Sequence, residues 1–194
     1  MNEINSIDSS VIEQTKNWLK SIIIGLGFCP FAQQELERNR IHYCVVRTDN
    51  LQACLESLVL ECERLDGNKN IATSLLIYPD RWTDFNDFLD YLALAESLLE
   101  AQKYQGIYQL ASFHPLYRFE GAPEKDPANY TNRSPHPMLH LLREDGLEIA
   151  LKQYPHPEQI PHRNIQRART LGETKLKILL DGCRSHQEKH IIFS

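Results

Sequence analysis

Apolar side chains recur at Val11, Ile12, Trp18, Leu19, Ile22, Ile23 and Leu26, close to the i, i+3, i+4 rhythm of one helix face. Residues 8 to 26 are therefore expected to form an amphipathic helix, capped by Ser9 or Ser10. Gly25 and Gly27 suit its end, and Pro30 suits the first turn of a short helix reaching about Arg38. The pattern then changes period. IHYCVVR, residues 41 to 47, is short and rich in β-branched and aromatic residues, as a strand is. A helix is expected over Leu51 to Leu65, followed by the turn DGNKN and by IATSLLIY, residues 71 to 78, whose nearly continuous apolar run fits a strand buried on both faces. Thr83 is placed to cap a third helix running to about Ala101, with Phe85, Phe88, Leu89, Leu92 and Leu99 inward. GIYQLASF, residues 106 to 113, reads as a third strand that stops at His114-Pro115. Helix is expected again over Pro135 to Glu144, Leu147 to Tyr154 and Pro157 to Cys183, with a break near Gly172.

Strands alternating with helix-length crossovers argue for an α/β fold with α+β as the alternative: a small, mainly parallel sheet of three or four strands flanked by helices, and a helical C-terminal third. Tyr117 to Phe119 is a candidate fourth strand. One domain spans residues 1–194, with 172–194 as a peripheral helical tail. Residues 115 to 134 are longer than a connector needs, and loops of that length in compact domains are usually functional or disordered.

Composition narrows the class. The 194 residues are 42% hydrophobic and 24% charged, enough to build one core without disulfides or a structural metal. No apolar run approaches the ~18 residues of a membrane span, so no membrane partner is expected. From His162 onward seven Lys or Arg face three acids, +4, which leaves −9 for residues 1 to 161. A chain so acidic lacks the concentrated basic face that nucleic acid requires. Five cysteines, an odd number with no CxxC spacing, and an N-terminus without a secretory layout make the cytoplasm the expected compartment. Cys44, Cys54 and Cys62 read as core.

The chemically capable residues gather in residues 112 to 115 and 129 to 144. His114 would stand at the C-terminal end of the third strand, where open parallel sheets bind ligands; the bland alternative is a histidine satisfying a buried backbone group. Arg133-Ser134-Pro135 reads as a helix start with Ser134 as N-cap, an anion site to which Arg133, Asn132 and Thr131 would contribute. Against this, Asn132 and Arg133 would simply tie the loop to backbone carbonyls. His136 and His140, four apart on the expected helix, would with His114 supply three imidazoles to zinc, although Pro137 stands where the metalloprotease pattern has Glu. Cys29 before Pro30 would sit at a helix N-cap that lowers its pKa, or else lie buried beneath Phe28 and Phe31.

GLGFCPFA (25 to 32), ASFHPLYRFEG (111 to 121) and NYTNRSPHPMLHLLRE (129 to 144) resemble a bacterial family catalogued only as a domain of unknown function. The resemblance covers roughly Trp18 to Leu171, and Cys29, His114, Asn129, Asn132, Arg133, Ser134 and His140 match its motifs residue by residue. It implies an aromatic residue more often at the position of His136, which weighs against a three-histidine metal site. The tail after Leu171 departs from it, and no activity or cofactor follows.

The leading expectation is a pocket at the third strand's C-terminal end for a small anionic ligand, a phosphorylated one among the candidates, in a hydrolase or transferase. Cys29 and His114 are the candidate catalytic residues, His114 as acid or base; Asn129, Asn132, Arg133, Ser134 and His140 are the candidate ligand-binding residues, with Arg133 as clamp. The alternatives are a non-catalytic protein-interaction module using the loop and its Tyr117, Phe119 and Tyr130, and a metal-dependent hydrolase.

Overall fold

The computed structural model describes residues 2–185, with side chains from residue 6 onward. Helix α1 (Asn2–Trp18) continues into one π-helical stretch (Leu19–Ile24), followed by the short α2 (Ala32–Glu37). Then come β1 (Ile41–Val45), α3 (Leu51–Gly67), β2 (Thr73–Ile77), α4 (Phe85–Ala101) and β3 (Tyr108–Phe113). A 3-10 turn (Pro127–Thr131) leads to β4 (Met138–Arg143), α5 (Glu144–Gln153), a second 3-10 turn (Pro157–Gln159), α6 (Ile160–Leu171) and α7 (Glu173–Arg184).

The sheet order is β1-β2-β4-β3. β1 pairs parallel with β2, whereas β4 is antiparallel to both β2 and β3. Three strands thus share a direction, as the two helical crossovers require, and β4 alone opposes them. Its insertion corrects the expected mainly parallel pairing: two of the three strand pairs are antiparallel, and the fold is α+β.

All five residues of β2 are buried, because helices cover both sheet faces. On the first face Leu76 and Tyr78 pack with Cys54, Leu58, Cys62 and Leu65 of α3 and Phe88, Tyr91 and Leu99 of α4. On the second, Leu75 and Ile77 pack with Val11 and Trp18 of α1, Ile22 and Ile23 of the π-helix, and Leu176 and Leu180 of α7. Each such burial stabilises by about 1.5–3 kcal/mol. Cys54 and Cys62 are core residues as expected. Cys44 is half-buried beside them, its thiol pushed up to about 12 by burial and the nearby Glu61 carboxylate.

Several expectations are corrected. Pro135 to Glu144 is not a helix: MLHLLR is β4, the fourth strand, while Tyr117–Phe119 forms none. Burial of Met138, Leu139 and Leu141 decides the period, since a central strand needs apolar side chains on both faces. Ser9 and Ser10 lie inside α1, which begins at Asn2. Asp84, not Thr83, caps α4 by accepting from the N–H groups of Asn86 and Asp87. Within 172–194, α7 buries Leu176, Leu180 and Cys183; residues 186–194 lie outside the described residues.

Candidate functional site

His114 leaves β3 toward the first face, its ring 5.2 Å from those of both Phe85 and Phe88. The imidazole is buried, and both nitrogens are engaged. Leu116 N–H donates to Nδ1 at 3.0 Å, which assigns the ring proton to Nε2, and Nε2–H donates to the Trp82 carbonyl at 2.7 Å. Burial lowers the His114 pKa, the Trp82 carbonyl pulling the other way. In this structure the ring is neutral and holds two segments together.

The loop that follows is fastened by the residues singled out in the sequence. Asn129, fully buried, accepts from Phe119 N–H at 3.1 Å and donates to the carbonyls of Pro123 and Glu124 at 3.0 and 3.1 Å. Arg133 donates from Nε to Tyr117 and from Nη2 to Glu124, both at carbonyls, while its guanidinium lies 4.5 Å from the Tyr130 ring centroid. Asn132 donates to the Ser112 carbonyl at 3.3 Å, and its own carbonyl accepts from His114 N–H at 3.2 Å. Trp18 Nε1 donates to Arg133 O at 2.9 Å, fixing the segment to α1. Ser134 is no helix cap, because no helix begins there; its hydroxyl donates to the His136 carbonyl.

Cys29 and His140 lie elsewhere. Cys29 packs into the second-face core, whereas the His114 ring is on the first. Its thiol is raised by burial, against the pull of the Phe31 and Ala32 N–H groups, so the expected lowering at a helix N-cap is reversed; α2 begins at Ala32 with Phe31 as its cap. His140 alternates with Leu139 and Leu141, which places it on the second face, 6.2 Å from the Phe113 ring, and burial pushes it down to about 4. His136 bonds Gln14 Oε1 at 2.7 Å and is also pushed down to about 4, by burial and then by Arg184 and Arg47. The structure therefore brings His114, Asn129, Asn132 and Arg133 into one network with Tyr117 and leaves Cys29 and His140 across the sheet. Among the described residues no group of three or more His, Cys, Asp or Glu is arranged to hold a metal ion.

Other polar residues gather at this end of the sheet, beyond those that stood out in the sequence. Arg47, just past β1, bridges Asp8 and Asp80, linking α1 to the β2–α4 connection. Arg81 lies 4.8 Å over the Trp82 ring, and its Nη1 is buried without a hydrogen-bond partner among the described residues. Charges following the apolar runs were the available signal. Glu61 was hidden on an apolar helix stripe; it binds His42 Nδ1 at 2.7 Å and Arg64 Nε at 2.9 Å.

These features define an α+β protein with a four-stranded mixed sheet and a helical C-terminal region. The chain belongs to the family described as Protein of unknown function (DUF1415), whose model matches residues 10–178. The match contains all three motif segments and reaches into α7. No curated protein and no solved structure matches the chain.

Proposed function

We propose that this protein acts by recognition, with the 114–134 loop as the surface that meets a protein partner. What carries the reading is the fate of the loop's polar groups. Both His114 nitrogens, the Asn129 amide and two Arg133 nitrogens bind the protein's own backbone. That arrangement stiffens a loop rather than presenting an acid, a base or a clamp to a substrate. The stiff loop displays Leu116, 56% exposed, beside Tyr117, whose ring packs 5.2 Å from Phe85 and 5.1 Å from Phe119. A partner side chain docking there would meet a preorganised apolar surface, which lowers the entropy cost of binding. A photoreactive phenylalanine analogue at position 116 tests this in host extract. Saturable crosslinking to one protein, competed by unmodified protein and not by Leu116→Asp, is expected. Equal crosslinking from a control position such as Lys152 overturns it.

A small phosphorylated anion is the second reading, favoured by Arg81 Nη1, which has no hydrogen-bond partner among the described residues. Inorganic phosphate or sulfate should then raise the Tm of the parent and not of Arg81→Met; no anion effect on the parent rejects this reading. Placement in the cytoplasm is supported by five free cysteines and is tested by fractionating cells that express the full chain.

A further inference from the structure

β3 is an edge strand, and only part of its outer edge is closed. Glu144 N–H donates to Ile107 O at 3.0 Å, so with the register Tyr108 to Arg143 the odd-numbered residues of β3 bond β4 and the even-numbered ones point outward. Outward groups at the two ends are occupied. Tyr108 N–H donates to Tyr104 O, His114 N–H donates to Asn132 O, and Ser112 O accepts from the Asn132 side chain. Between them Tyr108 O, Leu110 N–H, Leu110 O and Ser112 N–H have no partner among the described residues. That leaves two donors and two acceptors along one open stretch.

A groove of about 250 Å³ lies beside the Tyr108–Leu110 part of this stretch, lined by the apolar Leu99, Tyr108 and Leu110, by Gln105 and Gln109, and by Glu96, Glu100 and Glu144. No Lys or Arg lines it. Glu96 and Glu100 are one turn apart on α4 and both exposed, a like-charge pair that an isolated helix would disfavour. An unprotected edge is normally blocked by lysine, proline or a covering segment. Here it is flanked by carboxylates.

We infer that the β3 edge is the docking site for an extended basic peptide segment of a partner protein, which adds a fifth strand. Its backbone pairs with the four free groups, and its alternate side chains, lysine or arginine, lie over the apolar lining and reach the three carboxylates. A second copy of this chain is the disfavoured occupant, because edge-to-edge pairing would set two acidic grooves against each other. This surface is separate from the loop face at Leu116, and the inference does not rest on that reading.

The test uses the full chain and an acetylated, amidated octapeptide of alternating lysine and valine carrying a fluorophore. Anisotropy should show saturable binding, with new protection of the Leu110 and Ser112 amides from hydrogen exchange. Methylating alternate peptide nitrogens on the pairing side should weaken binding at least tenfold, and so should the triple variant E96Q/E100Q/E144Q, whose unchanged Tm confirms folding. A glutamate–valine peptide should not bind. Equal binding of the N-methylated peptide, protection confined to other amides, or no binding at millimolar peptide overturns the inference. So does a concentration-dependent dimer that protects Leu110 and Ser112 without peptide.

Discussion

The Nε2–H of His114 donates to the carbonyl oxygen of Trp82 across 2.7 Å, and Trp82 holds a left-handed backbone at φ 52. A bulky residue there costs of order 1–3 kcal/mol and persists only where its surroundings over-determine it. The His114 bond, with Trp82 stacked 3.9 Å from Tyr91, supplies that constraint. His114→Ala should therefore lower stability by about 2–4 kcal/mol, from a stranded buried carbonyl plus a cavity. A residue acting only in catalysis would leave folding nearly intact. Urea unfolding of the variant decides between the two, and His114→Asn, which can keep the acceptor for Leu116 N–H, should lose less.

Arg133 secures the loop through two carbonyls of different segments, at Tyr117 and Glu124. Lysine cannot reproduce a planar fork with two separated donors. Arg133→Lys should thus behave nearly as Arg133→Met, each destabilising by about 2–3 kcal/mol and opening the 117–126 segment to limited proteolysis. Full protection by lysine would mean that charge over the Tyr130 ring, rather than the fork, holds the loop.

Two half-buried histidines, His136 and His140, shape the acid response. Burial holds His136 and His140 at about 4, whereas the unfolded chain titrates near the ordinary 6.5. Between those values the unfolded state binds more protons, so stability is fully present above about 6.5 and falls as pH drops toward about 4. The contribution is on the order of 2 kcal/mol per histidine, reduced because both rings keep some solvent contact. The urea midpoint of His140→Leu should fall less than the parent's between pH 7 and pH 4.5. Parallel curves would contradict this origin.

Glu61 works in a lower window. Burial would raise its carboxyl, but hydrogen bonds from His42 and Arg64 win and hold it at about 2. Its stabilisation is present above the ordinary 4.5 and lost as pH falls from there toward about 2. The side chains of His42 and Arg64 are 30% and 48% exposed, so neutralising Glu61 leaves their N–H donors within reach of water rather than stranded in the core. Glu61→Gln should cost about 1–3 kcal/mol at pH 7, below the figure for a fully buried broken pair. It should also flatten acid unfolding below pH 4.5; an unflattened curve would place the acid loss elsewhere.

The succession β1-α3-β2-α4-β3 was legible because the apolar period switches cleanly between strand-like runs and helical stripes. β4 was not. MLHLLR is a six-residue segment with four apolar side chains beside prolines, too short for periodicity to separate strand from helix, and its membership of the sheet rests on β2 and β3, more than 20 residues away. The site was half legible for a related reason. His114, Asn129, Asn132 and Arg133 do share one network, but their partners are the carbonyls of Trp82, Pro123, Ser112 and Tyr117. Every residue has a carbonyl, so nothing in side-chain identity announces that partnership. The anion reading fitted the same polar residues because the donors that grip a phosphate also grip a main chain.

The join between α6 and α7 turns on Gly172, at φ 80 and ψ 156, a region essentially closed to side chains. It closes α6 with N–H donating to Ala168 O and opens α7 with its own carbonyl accepting from Leu176 N–H. An added Cβ would meet no atom within 4 Å, so any penalty at this position is conformational rather than steric. Gly172→Ala should cost about 1–3 kcal/mol and loosen α7, which carries Leu176 and Leu180 into the second-face core. Gly67, the last residue of α3, is the control: its surroundings are equally open and its φ is not positive, so Gly67→Ala should be neutral or stabilising by up to about 1 kcal/mol. Calorimetry on both variants, with hydrogen exchange along α7, checks the contrast; an equal Tm for the two would show that the turn tolerates a side chain and that the α7 docking does not depend on it.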